Sequence, residues 1–411
     1  MKILHLADIH TDDQDLPEIQ KCLDFTIKTA EEERPDLIVN AGDTFNSRSV
    51  KMDSASAKYI CRAFKELADI APVAIVTGTP SHDGHAVEII WRIGATHNIW
   101  VSTLPEQICL LDGHLIQFQS DVDYYDSIDS TDAVISLVPT PTKKYFESDG
   151  NINQTDIDIS NEMATMFAGF GASAKEYPGP HIMVGHFPVG GAYVSGTQQL
   201  TGVDIEMTRE QISLAEADVV CLGHIHYHQQ FGDNIFYSGS IYRKDFGELE
   251  EKGFYIHEIE KIPEDHEYKL ISRFVETPSR KLIKDSVDLC AGVDESVYIL
   301  SEAIARSPEE IKDAFVRLEF KVYQDEAEAI DKEQITGFYK LVGAADVDIK
   351  IIRVPRVNVR SEKILSLTTL REKLIERAAL IDEKVPEKVL EKADILEEYN
   401  PDEIIKTIAR I

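Results

Sequence analysis

The sequence predicts an α/β protein with a largely parallel sheet in its first hundred residues. Apolar runs of four or five residues, typical of buried strands, alternate there with segments whose apolar residues recur at helical spacing. The two clearest helical segments lie at 19–30 and 55–68, and a shorter one lies at 87–93. This alternation implies parallel strands joined by right-handed crossovers.

The rest of the chain divides by texture. Short strand patterns follow at 108–111, 115–118 and 133–139, then a polar insertion at 141–160, a helix at 161–174 and a glycine-containing loop at 187–203. Residues 281–360 predict a small α+β domain, with strands at 314–320 and 347–351 and a helix at 331–342. The last segment predicts helices that begin after Thr369, after Pro386 and at Asn400. We therefore predict domains at 1–280 and 281–360, and a helical segment at 361–411.

Composition narrows the class of protein. The 411 residues include 42 basic and 73 acidic side chains, and the formal charge of −31 argues against loose binding to polyanions. Five cysteines without a Cys-x-x-Cys pair favour reduced thiols and a cytoplasmic location. Because no apolar stretch approaches the length needed to cross a bilayer, we expect no membrane association.

Five of the apolar runs end in aspartate or histidine, which suggests a shared site. In open α/β sheets, ligands bind beyond the carboxyl ends of the strands, so we expect these residues at one edge of a sheet. Carboxylate and imidazole ligands together suit Mn, Fe or Zn. With so many converging strand ends, buried polar residues merely satisfied by hydrogen bonds are the weaker explanation. The residues concerned are Asp8, His10, Asp43, His82, His186, His224 and His226.

The order of these motifs resembles the calcineurin-like metallophosphoesterase superfamily, which shows Asp-x-His, Gly-Asp, Gly-Asn-His-Asp, Gly-His and Gly-His-x-His. A second run, at 237–254, contains Tyr-x-Gly-Ser, an arginine, Asp-Phe-Gly-Glu and Lys-Gly-Phe. That run is similar to SbcD-type nucleases, the exonuclease subunits that repair DNA double-strand breaks with an SMC-like ATPase of the SbcC type. The resemblance covers about residues 1–260.

The resemblance implies a two-layered β-sandwich core with flanking helices, a capping domain that binds DNA, and carboxyl-terminal helices that bind the ATPase. It also implies a homodimer that acts in DNA repair or recombination. The expected activities are 3′-to-5′ exonuclease on duplex DNA and endonuclease on single strands. Two divalent ions, with Mn²⁺ the expected metal, would polarise the phosphoryl group and activate a water.

Roles for individual residues follow from the same resemblance. Asp8, His10, Asp43 and His226 would hold one ion, and Ser81, His186 and His224 would complete the second, with Asp43 bridging. His82 would donate a proton to the leaving oxygen or stabilise it. Asn46 and Asp83 would support the site, and Arg243, by its place in the second run, would contact a DNA phosphate. Arg48 flanks the motifs, and there a phosphate contact and a solvated surface position are equally good interpretations. For Arg243 an ion pair with Asp245 or Glu248 is an equally good interpretation.

Two departures from the family pattern affect the expected rate and metal affinity. The segment Gly78–Asp83 is two residues longer than Gly-Asn-His-Asp, so either Ser81 or Thr79 supplies the oxygen at the asparagine's place. Asn46 stands where related nucleases have histidine, and it can accept a hydrogen bond from His82 without adding charge. Two alternatives therefore stay open: a phosphatase or cyclic-nucleotide phosphodiesterase of the same superfamily, and a weakly active scaffold subunit.

Overall fold

The computed structural model describes most of the chain. The described residues are 1–117, 130–142, 156–194, 196, 198, 205–262, 268–291, 306–355, 364, 366–380 and 383–398. Contacts divide the chain into one compact unit of Met1–Ser286, Ser296–Glu319 and Lys332–Lys350, and a second of Val287–Glu295, Phe320–Asp331 and Ile351–Ile411. The domain boundaries proposed from the sequence stay a prediction.

Strands and helices alternate as an α/β fold requires. The strands are β1 (Lys2–Leu6), β2 (Leu37–Asn40), β3 (Val73–Val76), β4 (Ile99–Ser102), β5 (Glu106–Leu111), β6 (His114–Gln117), β7 (Ala133–Val138), β8 (His181–His186), β9 (Val219–Gly223), β10 (Gln229–Phe231), β11 (Ile235–Tyr237), β12 (Gly253–Lys261), β13 (Tyr268–Glu276), β14 (Lys281–Asp288), β15 (Ala314–Tyr323) and β16 (Asp346–Val354). The α-helices are α1 (Leu16–Glu33), α2 (Ala55–Ile70), α3 (Asp156–Ala174), α4 (Arg209–Ser213), α5 (Pro308–Ile311), α6 (Lys332–Val342), α7 (Leu370–Ala379) and α8 (Glu387–Glu398).

The strands form three sheets. Sheet A has the order β13-β12-β1-β2-β3-β4, sheet B the order β10-β11-β9-β8-β7-β5-β6, and sheet C the order β14-β15-β16. In sheet A, β1 to β4 run parallel, whereas β12 and β13 are antiparallel additions. In sheet B, β7, β8, β9 and β11 run parallel. The parallel strands of both sheets therefore end on the side where the polar motifs follow.

Sheets A and B pack face to face. Their facing side chains, among them Ile3 and Val39 from sheet A and Ile135 and Val184 from sheet B, share one buried apolar cluster. Strand side chains alternate between faces, and those on the opposite faces, such as Leu4 in sheet A and Met183 in sheet B, are also buried and apolar, so helices cover these faces too. Helices α1 and α2 cover sheet A, and α3 and α4 cover sheet B. The predicted two-layered sandwich with flanking helices is confirmed.

One aspect of the prediction is wrong. The five strands that carry the polar motifs do not belong to one sheet, because β1, β2 and β3 lie in sheet A whereas β8 and β9 lie in sheet B. The motifs therefore meet where the ends of two packed sheets come together. Apolar runs look alike in either sheet, and which strands pair depends on long-range hydrogen bonding that periodicity does not encode.

Local sequence signals specify several helix starts. The Ser54 side chain accepts a hydrogen bond from Ala57 N at the start of α2, and Thr369 forms the predicted capping box at the start of α7. The segment predicted as a helix at 87–93 is a 3₁₀ helix, Val87–Arg92. Two predicted segments lie partly outside the described residues: the polar insertion at 143–155, and the glycine-containing loop at 195, 197 and 199–204. The third terminal helix, predicted to begin at Asn400, lies outside them entirely.

Across the described ranges, no helix combines the length and the apolarity that crossing a bilayer demands.

Candidate metal centre

Two loops that leave sheet A bring the first three polar residues together. Asp8 N donates to Gly42 O at 3.0 Å, and His10 N donates to Asp43 O at 2.9 Å, so the segments after β1 and β2 run side by side. Asp8, His10 and Asp43 have φ angles of 52°, 45° and 50°. The left-handed region costs a residue other than glycine about 1–3 kcal/mol, and strained residues of this kind cluster at functional sites.

Sheet B contributes the histidines. His186 is buried at the end of β8, and its Nδ1 donates to Ala41 O at 2.7 Å, which leaves Nε2 toward Asp43 Oδ2 at 3.3 Å. Gly42 permits this approach, because a Cβ at that position would lie 2.4 Å from His186 Nδ1. Beyond β9, the backbone N of His224 donates to both Asp8 carboxylate oxygens at 3.1 Å, and the His226 Nε2 lies 2.9 Å from His10 Nε2.

Six of the seven residues predicted from the strand ends thus form one continuous cluster. Their ligand atoms fall into three sets, each within 4.8 Å: Asp8 with His10 and His226, His10 with Asp43 and His82, and Asp8 with Asp43 and His186. His224 lies beside this cluster, with its ring centroid 5.2 Å from that of His186. Asp8, His10 and Asp43 each belong to two of these sets, so they lie at the middle of the site.

Burial and mutual charge shape the titration of these groups. Burial raises the pKa of Asp8, and it lowers the pKa of His224 to about 3. Burial alone would lower the pKa of His186, but the charge and hydrogen bond of Asp43, the charge of Asp8 and the bond to Ala41 O together raise that pKa to about 9. Because metal ligands must be deprotonated, a cation bound here would displace the proton that His186 shares with Asp43.

The donor set fits divalent cations. Two carboxylates and several imidazoles converge in a buried space, which is the chemistry preferred by Mn, Fe and Zn. His10 Nδ1 is buried and has no hydrogen-bond partner among the described residues. His10 Nε2 and His226 Nε2 lie 2.9 Å apart, and with Asp8 they form one group able to hold an ion. Asp8, His10, Asp43, His186 and His226 would hold such ions.

His82 lies at the rim of the cluster, with its ring centroid 4.7 Å from that of His10. Its Nδ1 donates to the backbone carbonyl of Asn46 at 2.9 Å, so Nε2 is the nitrogen able to exchange a proton. The Asn46 side chain was expected to accept this bond. It is instead engaged elsewhere, because its amide donates to Asp12 Oδ2 at 2.9 Å and its oxygen accepts from Lys244 Nζ.

Asp83 fixes the loop that carries His82. Its buried carboxylate accepts from the backbone N of Gly78 at 2.9 Å, of Phe45 at 3.0 Å and of Thr44 at 3.2 Å. Burial and the nearby Asp43 raise the pKa of Asp83 to about 6, although these three bonds oppose the shift. Asp83 therefore joins the loops after β2 and β3 without facing the cluster directly.

Ser81 and Thr79 lie in different places. The Ser81 side chain is exposed, and its backbone carbonyl accepts from Arg48 N at 3.0 Å. Thr79 instead lies within the cluster: its backbone N donates to Asp43 Oδ1 at 2.6 Å, and its Oγ1 lies 3.2 Å from Asp43 Oδ2 and 3.4 Å from His186 Nε2. Of the two candidates for the oxygen, the structure places Thr79, and not Ser81, beside the predicted ligands.

The two predicted phosphate contacts differ in setting. Arg48 is exposed on the loop next to Ser81. The Arg243 guanidinium donates to the backbone carbonyl of Arg280 at 3.2 Å, and Glu248 is paired with Lys252 rather than with Arg243. The ion pair between Arg243 and Glu248 considered from the sequence is therefore not formed.

Three further side chains contact the His224–His226 loop and were not assigned roles from the sequence. Gln198 accepts from the backbone N of His226 at 3.0 Å and donates to the carbonyl of His224. Glu248 accepts from His226 Nδ1 at 2.7 Å, and Lys252 Nζ donates to His226 O at 3.0 Å. Glu248 and Lys252 are within the run 237–254 noted above. Their contacts with His226 span 22 and 26 residues, so no periodic pattern in the sequence could indicate them.

Comparison with known proteins identifies the family of the chain. Residues 1–228 match the family model described as calcineurin-like phosphoesterase. Among solved structures, the chain is similar to a dimetal phosphatase from Danio rerio, with 12% identity, a TM-score of 0.40, and coverage of 67% of this chain and 95% of that one. No curated protein matches the chain. The family consists of hydrolases that act on phosphoester bonds and typically bind two divalent metals. The chain belongs to the calcineurin-like phosphoesterase family.

Proposed function

We propose that this chain is a DNA nuclease of the SbcD type, dependent on two divalent ions, with Mn²⁺ the expected metal. It would shorten duplex DNA from 3′ ends and cut single strands, in repair or recombination and in a cytoplasmic setting. The proposal narrows the phosphoester hydrolysis of the family to one substrate class.

One observation carries the proposal. The run 237–254, on which the resemblance to SbcD-type nucleases depends, packs directly behind the metal centre. Tyr237 OH donates to Phe187 O at 2.8 Å, and a Cβ on Gly239 would lie 2.7 Å from His226 O. Glu248 and Lys252, from the Asp-Phe-Gly-Glu and Lys-Gly-Phe motifs, hold His226. The residues on which the resemblance depends thus lie next to the site, and this position supports the proposal.

The side chains present are suited to phosphodiester hydrolysis. Bound divalent ions would supply Lewis-acid polarisation of the phosphoryl group. His82, with Nδ1 held by Asn46 O, presents Nε2 at the rim, where it can hold a proton for the leaving oxygen. Lys244 reaches the same rim through its contact with the Asn46 side chain, and it adds a positive charge next to His82 and His10.

An acidic chain must engage DNA locally. With a formal charge of −31, distant attraction of a polyanion is disfavoured, so contacts near the site have to supply the binding energy. Arg48, whose backbone N donates to Ser81 O, and Lys244, which contacts the Asn46 side chain, lie near His82 and serve this role in our proposal. Each phosphate contact contributes about −0.9 to the slope of log K against log salt for duplex DNA. We therefore expect a shallow salt dependence, which a binding titration from 50 to 200 mM salt would measure.

The terminal helices favour a protein partner. Helices α7 and α8 pack on each other, and Arg371 joins them through Asp394 at 2.5 Å and Glu387 at 2.6 Å. Large apolar side chains on or next to these helices nevertheless stay exposed, namely Ile375, Leu380, Val389 and Leu396. We propose that this surface binds an SMC-like ATPase of the SbcC type, within an assembly built on a homodimer. Leu396→Glu should abolish co-purification with such an ATPase and leave nuclease activity of the isolated chain intact.

The nuclease proposal is tested with the purified full chain, an end-labelled linear duplex and Mn²⁺. Asp8→Ala removes a carboxylate from the middle of the cluster, and Asp233→Ala removes one from an exposed turn as the matched control. We expect shortening from the 3′ end with the unaltered chain and the control, and none with Asp8→Ala. A model phosphodiester and a model phosphomonoester are assayed in parallel.

Three results would contradict the proposal. Hydrolysis of the monoester alone would indicate a phosphatase, and hydrolysis of cyclic nucleotides without DNA cleavage would indicate a cyclic-nucleotide phosphodiesterase. No hydrolysis of any substrate, with the ATPase partner present, would favour the scaffold alternative.

A further inference from the structure

A carboxylate and an ammonium group are buried behind His226. Glu248 is 2% exposed and Lys252 is 1% exposed, and their charged atoms lie 3.3 Å apart. Burying such a pair costs desolvation that the mutual attraction only partly offsets, so stability alone is a weak reason for its presence. Its position next to a predicted metal ligand points to a different role.

The carboxylate determines which nitrogen of His226 faces the cluster. Glu248 Oε1 lies 2.7 Å from His226 Nδ1, and because an ionised carboxylate can only accept, that nitrogen carries the hydrogen. His226 Nε2 is then the nitrogen with a free electron pair, and it lies 2.9 Å from His10 Nε2, toward the centre. A neutral imidazole in this tautomer and orientation is what a divalent cation binds.

The ammonium group holds both the carboxylate and the backbone of the histidine. Lys252 Nζ donates to Glu250 Oε1 at 2.7 Å and to His226 O at 3.0 Å, and it forms an ion pair with Glu248 Oε2 at 3.3 Å. Glu248 Oε2 also accepts from the backbone N of Lys244 at 2.9 Å. The carboxylate is therefore fixed from two sides, and it can rotate away from His226 only by breaking both contacts.

We propose that Glu248 and Lys252 are positioning residues that orient His226 Nε2 toward a divalent ion, an inference that rests on the metal centre proposed above. Glu248 acts on the imidazole directly, whereas Lys252 acts through Glu248 and through the His226 carbonyl. Partners of this kind behind a ligating histidine typically change metal affinity by about 10–100-fold when removed.

The test measures metal binding rather than activity. The full chain is stripped with a chelator, and Mn²⁺ is titrated by calorimetry into the unaltered chain and into Glu248→Gln and Glu248→Ala. The glutamine oxygen can still accept from Nδ1, so we expect about a 10-fold loss of affinity for one ion with glutamine and about 100-fold with alanine. Glu251→Gln makes the same charge change at an exposed neighbouring position and should leave both ions bound as before.

A spectroscopic measurement separates positioning from general destabilisation. With Co²⁺ in place of Mn²⁺, visible absorption reports the ligand geometry, and we expect Glu248→Gln to change the spectrum while the far-ultraviolet circular dichroism stays the same. Lys252→Met should weaken binding as well. The double variant with Glu248→Gln should lose less than the two single losses combined, because the two residues act as one unit.

Different failures lead to different conclusions. If the unaltered chain binds two Mn²⁺ ions and Glu248→Ala binds them with the same affinity and the same Co²⁺ spectrum, the positioning role is wrong and the metal centre stands. If the unaltered chain binds no Mn²⁺, the proposed centre itself is wrong, and this inference with it. Additive losses in the double variant would show that Lys252 does not act through Glu248.

Discussion

Replacing Gly78 by alanine adds one methyl group against Asp43 without changing any charge. A Cβ built on Gly78 would lie 2.1 Å from Asp43 Oδ1 and 2.2 Å from Asp43 N. Non-bonded heavy atoms need about 3.5 Å, so the carboxylate or the loop has to move by more than about 1 Å. The atoms in conflict include backbone, which cannot rotate aside as the end of a long side chain can. The substitution therefore has to displace a residue at the middle of the centre.

The size of the effect follows from that displacement. Ion sites tolerate ligand displacements of only about 0.2 Å, and a misplacement of 1 Å at a reacting centre can cost about 10²-fold in rate. We expect Gly78→Ala to lose at least one bound Mn²⁺ and to hydrolyse a model phosphodiester such as bis(p-nitrophenyl) phosphate about 10²-fold more slowly. The cost to stability should be about 1–3 kcal/mol, as for other overpacked sites.

The assay compares two alanine substitutions at glycines. Gly94→Ala is the matched control, because a Cβ there would meet no atom within 4 Å. Mn²⁺ stoichiometry by calorimetry, hydrolysis rate and thermal unfolding are measured for both variants. A folded Gly78→Ala chain with the metal content and rate of Gly94→Ala would refute the close approach of this glycine to Asp43.

Three further predictions follow from other contacts. Thr79→Val should lower Mn²⁺ affinity and the hydrolysis rate by about 10-fold, because it removes a hydroxyl that contacts Asp43 and His186. Ser81→Ala is the control and should change neither quantity. The reverse result would indicate that Ser81 supplies the oxygen. Burial lowers the pKa of His181 to about 4, so the unfolded chain binds more protons between pH 6.5 and 4, and stability falls as the pH falls through that range. Urea titrations of the metal-free chain should show that, between pH 7.5 and 5, wild type loses about 2 kcal/mol more than His181→Gln, and parallel pH profiles would contradict this. Arg280→Lys keeps the charge near Asp15 but loses guanidinium bonds to the carbonyls of residues 243 and 244. The free energy of unfolding should fall by about 1–3 kcal/mol in a thermal unfolding experiment. An unchanged Tm would contradict this prediction.

The sequence by itself determined the local features of this protein. Helices α1 and α2 lie where apolar residues recur at helical spacing, and α7 begins directly after its N-cap Thr369 because a capping box satisfies backbone donors within four residues. The strand ends that carry Asp8, Asp43 and His186 could also be predicted, because an apolar run followed by a polar residue is a short-range pattern. Helices, helix caps and strand ends could therefore be predicted from a few consecutive residues.

The tertiary structure decided which of these segments meet and through which atoms. Periodicity could not show that β8 and β9 belong to a different sheet from β1, since strand pairing joins residues far apart in the chain. It could not choose between Thr79 and Ser81, because two neighbouring hydroxyls differ only in the direction that the loop gives them. Nor could it assign Glu248 to His226 or the side chain of Asn46 to Lys244, contacts that span 22 and 198 residues. Such contacts depend on packing in three dimensions, and a local pattern does not contain that information.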